Sequence, residues 1–271
     1  WWAKLRIKAV DTFAYRNRME IVRLNWIFYS LFPILLLAAC TSNSRPDADK
    51  SEREANLYLQ MGVRYLEIGK TDVALERLKH SLDLNPDNSA THDVLAVLYE
   101  QIEEYGKARY HFEQSIELSP DNPATENNYG RFLCAHGDYE KGMKNLDSAI
   151  YKSLKTRKWF AYTNAGICEY QHGNKHNSEQ YFREALQLQP AYAPALLEMM
   201  QISYEQGKYM SARAFLERYQ EVAKHTPRTL MLAMKTEIAL GNQEQADEYK
   251  RQLLEKFPAS EQARIVRDPV Q

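Results

Sequence analysis

No apolar run in these 271 residues is long enough to cross a bilayer. The longest, residues 26–37, is interrupted by Ser30 and Pro33, and a spanning helix needs about 20 apolar residues. A positive excess is also missing. Lys and Arg number 35 against 36 Asp and Glu, which leaves no electrostatic footprint for nucleic acid. The chain has no Gly-rich phosphate loop, nucleophile elbow or zinc-ligand signature, so nothing points to an enzyme, a cofactor or a small-molecule substrate. His172 and His176 are four residues apart, but Gly173 and Asn174 place them in a turn, where two solvated histidines are the expectation rather than a metal site. Cysteine is scarce: Cys40, Cys134 and Cys168 are all there is.

Cys40 closes the string Leu35-Leu36-Leu37-Ala38-Ala39-Cys40 at the end of the apolar run. That is a lipobox: the signal peptidase needs small residues before the cut, and the cysteine sulfur carries the lipid. Residues 19–39 then read as a lipoprotein signal peptide beginning at Met19, with Arg23 in its basic region; an uncleaved anchor helix is the alternative. Residues 1–18 are expected to be translated upstream sequence. Thr41 and Ser42 follow the cysteine. With no aspartate after it, the resemblance to bacterial lipoproteins implies transfer to the outer membrane, where acylated Cys40 anchors the chain in lipid at the periplasmic face. Removing residues 1–39 takes away six cations and two anions, so the formal charge moves from −1 to about −5. Residues 40–54 read as the lipidated cysteine and a flexible polar tether.

From Ala55 the chain repeats itself with a period of 34. Repeat starts at Ala55, Ser89, Pro123, Trp159, Ala193 and Pro227 align Ala74, Ala108, Gly142, Ser178, Ala212 and Ala246 at the twentieth position. Gly62, Ala96, Gly130 and Gly166 share the eighth position; Gly69, Gly137, Gly173, Gly207 and Gly241 share the fifteenth. Small residues at positions eight, twenty and twenty-seven let two antiparallel helices approach closely, and the glycine at fifteen ends the first helix in a left-handed conformation. The pattern resembles the tetratricopeptide repeat and predicts an all-α superhelix of six helix-turn-helix repeats over residues 55–260, with residues 261–271 as a polar cap. The spacing widens to 36 between repeats three and four, and the extra residues are expected in a loop near Arg157 and Lys158. Met200 and Met234 at position eight, with Tyr219 and Leu253 at position twenty-seven, set the last two repeats apart and predict looser packing or a different crossing there.

Two strings are more specific. Asn127-Asn128-Tyr129-Gly130-Arg131-Phe132-Leu133-Cys134 and Asn164-Ala165-Gly166-Ile167-Cys168 resemble the corresponding segments of the type IV pilus biogenesis lipoproteins of the PilF/PilW family. The resemblance implies an outer-membrane pilotin, which binds pilus secretin subunits and promotes their targeting and multimerisation. The repeats and lipobox alone leave a general periplasmic scaffold, for outer-membrane protein assembly or cell-wall enzymes, as the alternative.

Cys40 is consumed by lipid, which leaves Cys134 and Cys168 as a pair in an oxidising compartment. They fall in the first helices of adjacent repeats, which lie side by side in such an array. A Cys134–Cys168 disulfide is therefore expected, with two buried thiols as the alternative. First-helix positions two, five, nine and twelve are expected on the inner face: Asn56, Leu59, Val63 and Leu66 in repeat one, and Phe160, Thr163, Ile167 and Tyr170 in repeat four. Leu59, Val63 and Leu66 with Val97 are the expected apolar groove for an amphipathic helix or extended tail of the secretin. Phe160, Tyr170 and Tyr204 are a second candidate patch.

Overall fold

The computed structural model describes residues 46–154 and 157–267. The chain divides into two units, 1–51 and 52–271; of the first, only residues 46–51 are described, and they are helical. Every regular element among the described residues is an α-helix, and they form six pairs. These are α1 (Pro46–Glu67) and α2 (Thr71–Leu84), α3 (Ser89–Gln101) and α4 (Tyr105–Leu118), α5 (Pro123–Ala135) and α6 (Tyr139–Lys152), α7 (Lys158–Gln171) and α8 (Lys175–Leu188), α9 (Ala193–Glu205) and α10 (Tyr209–Val222), and α11 (Pro227–Ala239) and α12 (Gln243–Lys256). A last short helix, α13 (Glu261–Arg267), ends the array.

The helix starts and stops follow from local chemistry. Asn88 and Asn122 cap α3 and α5 by accepting from the backbone N–H of Thr91 and Ala124, and Thr226 and Thr229 form a capping box on α11. Between the helices of a pair the backbone must turn through the left-handed region. Gly69, Gly137, Gly173, Gly207 and Gly241 have φ of 72, 85, 91, 71 and 75°, which costs a residue without Cβ little. Repeat two makes the same turn with Glu103, at φ 62°, so the turn belongs to the backbone geometry and glycine only eases it.

Each pair packs along a stripe of buried residues at helical spacing, such as Gly142, Met143, Leu146 and Ala149 in α6. At position eight a side chain is sterically excluded in three repeats. A Cβ on Gly62 would come within 2.6 Å of the Leu78 side chain, on Gly130 within 2.7 Å of Leu146, and on Gly166 within 2.6 Å of the Phe182 ring. At position twenty-seven the first two repeats carry serines that join neighbouring elements. Ser81 Oγ donates to the Ala55 carbonyl at 2.8 Å and lies 2.9 Å from Thr91 Oγ1; Ser115 repeats this with Ser89 and Thr125 at 2.9 and 3.1 Å. Repeats five and six fill the same positions with bulk: Met200 and Leu253 are fully buried and Tyr219 nearly so.

First helices of successive repeats touch one another from α3 to α11, whereas the second helices touch chiefly their own partner and the next first helix. An array packed in this way places the first helices along an inner face. The array ends in a docked helix: Ala263 of α13 is fully buried, Val266 packs on the core of the last repeat, and Ser260 Oγ accepts from the Ala263 N–H at 3.1 Å.

Three sequence expectations need correction. The stretch 40–54 is not tether throughout, because α1 begins at Pro46. The widened spacing between repeats three and four is not all loop near Arg157 and Lys158: α6 ends at Lys152 and α7 already starts at Lys158, one residue before the repeat boundary. Thr163 does not face outward: it is 2 % exposed, and its hydroxyl donates to the Trp159 carbonyl at 2.8 Å within α7.

Candidate partner-binding face

In repeat one the inner face carries a small apolar patch rimmed by polar side chains. Leu59 and Val63 of α1, one turn apart, line a shallow depression of about 370 Å³ with Gln60, Arg64, Glu67 and Val94 of α3. Leu66 and Val97, grouped with them from the sequence, do not line it. They are half-buried and pack on the core of repeats one to three, as Leu59 also does on its inner side.

The second candidate patch is not one surface. Phe160 opens α7, is 47 % exposed, and stacks on Trp159 at 3.5 Å between ring centroids. Tyr170 ends the same helix, so at 1.5 Å per residue the two rings lie about 15 Å apart along the axis. Tyr170 belongs instead with the end of α9: its hydroxyl donates to the Glu205 carboxylate, beside Tyr204, whose ring meets Tyr209 at 5.5 Å. Burial and that carboxylate push the Tyr170 hydroxyl up to about 12. Glu205 also accepts from Lys175 at 2.6 Å and from Gln201 at 2.8 Å, and these partners hold its carboxyl below the usual range despite burial.

Between these regions lies a feature that periodicity did not reveal. Asn164 Nδ2 donates to Asn127 Oδ1 at 2.9 Å, Asn127 Nδ2 to Asn128 Oδ1 at 3.4 Å, and Asn128 Nδ2 to Asp93 Oδ2 at 3.1 Å. The chain of contacts runs from α7 through α5 to α3, across three first helices. Burial raises the Asp93 carboxyl to about 6 against the pull of the Asn128 hydrogen bond, and its Oδ1 is buried with no hydrogen-bond partner among the described residues. Elsewhere on the first helices two arginines are held by carboxylates of the preceding repeat. Arg131 forks onto both oxygens of Glu100, and Arg228 does the same to Glu198 at 2.6 and 2.9 Å.

Cys134 of α5 and Cys168 of α7 are joined as a disulfide with 5.4 Å between their Cα atoms, spanning 34 residues of chain and tying repeat three to repeat four. Room for it comes from Gly142, where a Cβ would lie 2.4 Å from the Cys134 sulfur. His172 follows the end of α7 and stacks flat on Tyr139 at 3.7 Å, whereas His176, expected in the turn, lies in the first turn of α8 and hydrogen-bonds Gln180 at 3.1 Å. Among the described residues no group of three or more potential ligands could hold a metal ion, and no helix is long and apolar enough to cross a membrane. Cys40 and the expected signal peptide lie outside the described residues.

Comparison with known proteins agrees with the geometry. Models of the tetratricopeptide repeat match residues 59–123 and 171–233. The type IV pilus assembly protein PilF of Pseudomonas aeruginosa is 26 % identical over 213 residues, 78 % of this chain and 84 % of that protein. The crystal structure of PilW, a widely conserved type IV pilus biogenesis factor, superposes with a TM-score of 0.71 at 29 % identity, covering 79 % of this chain and 98 % of that one. A structure of Pseudomonas aeruginosa PilF gives 0.69 at 24 % identity, with 81 % and 98 % covered, a likeness of fold. With its six helix pairs and its first helices along one face, the chain is a PilF/PilW-like tetratricopeptide-repeat protein.

Proposed function

We propose that this protein acts in type IV pilus biogenesis as the pilotin of the pilus secretin: an outer-membrane lipoprotein, anchored through acylated Cys40, that binds secretin subunits and promotes their targeting and multimerisation. The observation that carries this reading is the match to PilF and PilW across nearly their whole length, rather than over a few generic repeats. The lipobox supports the anchor. The Leu59–Val63 depression supports a binding role, because half-buried aliphatic side chains in a depression gain further burial from a covering partner. The role is non-catalytic. A repeat scaffold offers a partner surface and shape, not a reactive group.

The test is the state of the secretin in cells with and without this gene, read by membrane fractionation and unheated gel electrophoresis. Loss of heat-stable outer-membrane multimers, with monomer accumulating elsewhere, is the expected result. Unchanged multimers would instead leave a periplasmic scaffold with a different client. Leu59→Asp and Val63→Asp, made singly in protein that keeps its helical content, are expected to weaken secretin binding at least 10-fold, since each buries a charge against apolar surface.

A further inference from the structure

The first helix of a repeat array is packed on one side only. In α1 that side is marked by Ala55, whose carbonyl accepts from Ser81 Oγ, by Gly62, over which Leu78 sits, and by Leu59, which lines the depression with Val94 of α3. At 3.6 residues per turn, Arg53, Leu57, Met61 and Arg64 fall within about 80° of arc on the opposite side, and Ile68, in the turn that follows, extends the line. Leu57 is 55 % exposed and Ile68 53 %, whereas Ala55, on the packed side, is fully buried. Both arginines are exposed, and Arg64 meets the equally open Glu67 at 2.9 Å. Glu54 stands at the edge of this stripe and Glu52 well off it. Apolar side chains in line with arginines, at helical spacing on the open side of a helix, suit a lipid surface.

We propose that this outer face of α1 docks on the bilayer that holds the anchor: Leu57, Met61 and Ile68 enter the boundary between headgroups and acyl chains, and Arg53 and Arg64 pair with lipid phosphates. The place of the anchor argues for lipid as the occupant. α1 begins six residues after Cys40, and six residues reach no more than about 22 Å. Acylated Cys40 therefore keeps the helix at high effective concentration beside the surface, where the weak affinity of a few apolar side chains is enough. Arginine suits that depth, since its methylenes lie against apolar surface while the guanidinium stays with the phosphates. With this side of α1 on lipid, Leu59 and Val63 on its other side stay open to a partner. The inference rests on the lipid anchor of the proposed function and is independent of the secretin.

The experiment couples the mature chain, residues 40–271, through Cys40 to a maleimide phospholipid in vesicles of phosphatidylethanolamine and phosphatidylglycerol. With Cys134 and Cys168 joined, Cys40 is the thiol that reacts. Leu57→Trp, made with Trp159→Phe so that one indole remains, reports contact with lipid. Bromine on the acyl chains is expected to quench its fluorescence about 2-fold. Glu52→Trp in the same background lies nearer the anchor along the chain but on the other side of α1, and is expected to lose little. Adding Ile68→Asp to Leu57→Trp changes an exposed position, so the melting temperature should hold while about half of the quenching is lost.

Equal quenching at the two tryptophan positions, or quenching at neither, overturns the docked face, because a tether alone does not select one side of a helix. Cross-links between copies through Leu57→Cys, with no quenching by bromine, would assign the face to a second copy of the chain instead. The anchor is judged separately, by incorporation of an alkyne fatty acid in cells. Labelling of the parent and not of Cys40→Ser supports it, and absence of label in the parent sinks the anchor and with it the natural setting for docking, whatever the vesicles show.

Discussion

The first four repeats and the last two meet the same packing requirement in opposite ways. In repeats one, three and four the position facing the second helix is glycine, and a leucine or phenylalanine from that helix fills the space a Cβ would need. In repeat five the position is Met200, fully buried, and Leu216 packs with it. The junction after repeat three is closed by a disulfide. The junction between repeats five and six is closed by Arg213, which forks onto the buried Glu237 from the neighbouring repeat. Glycine is thus one way to seat the leucine or phenylalanine of the second helix, and a buried methionine packed beside a leucine is another.

Exchanging those solutions should fail in both directions. Met200→Ala removes a fully buried thioether and its methylenes, and is expected to lower the unfolding free energy by about 2–5 kcal/mol in denaturant titration. Loss of the covalent clamp comes next. The double replacement Cys134→Ser and Cys168→Ser is expected to lower stability by on the order of 3 kcal/mol, since it reopens a loop of 34 residues in the unfolded chain. Thiol labelling of denatured protein that is equal before and after reduction would exclude the bridge itself. Gly166→Ala, the converse of the methionine truncation, forces a Cβ to within 2.6 Å of the fully buried Phe182 ring, and about 1–3 kcal/mol of overpacking should appear.

The smallest effect concerns the polar floor of the first four repeats, for which the last two have no counterpart of linked amides. Asp93 titrates near 6 when folded against an ordinary value of 3.8, so its protonated form is the one that folding favours. Its contribution is fully present below about pH 4 and is lost as the pH rises through about 6. Asp93→Asn should therefore stabilise the protein at pH 7 by roughly 1–2 kcal/mol and leave it unchanged relative to the parent at pH 4. Stability curves of the two proteins that run parallel across this range would show that Asp93 is solvated rather than buried.

The turns and the close helix approaches were legible because they are local or periodic. A left-handed turn and an excluded Cβ each leave glycine in a fixed column, and Glu103 shows how far the column can bend before the backbone refuses. The candidate site was legible only in part. Leu59 and Val63 lie one turn apart on one helix, so helical spacing brought them together. Leu66 and Val97 share the same periodicity and are spent on packing, because position within a repeat does not say whether the adjacent repeat covers a side chain. Phe160 and Tyr170 were grouped by repeat, yet they stand at opposite ends of α7. The chain of hydrogen bonds from Asp93 through Asn128 and Asn127 to Asn164 escaped notice because these residues sit at two different repeat positions and meet across helices only through the lateral offset of neighbours.

What the sequence determined by itself is the architecture: a period of 34 with small residues in register specifies helix pairs of constant length, and pairs of constant length can bury their apolar stripes only by stacking. Tertiary structure alone decided which residues of the inner face remain open. Exposure there depends on the rotation between one repeat and the next, which is the net result of many side-chain contacts across each junction and is carried by no single column of the repeat.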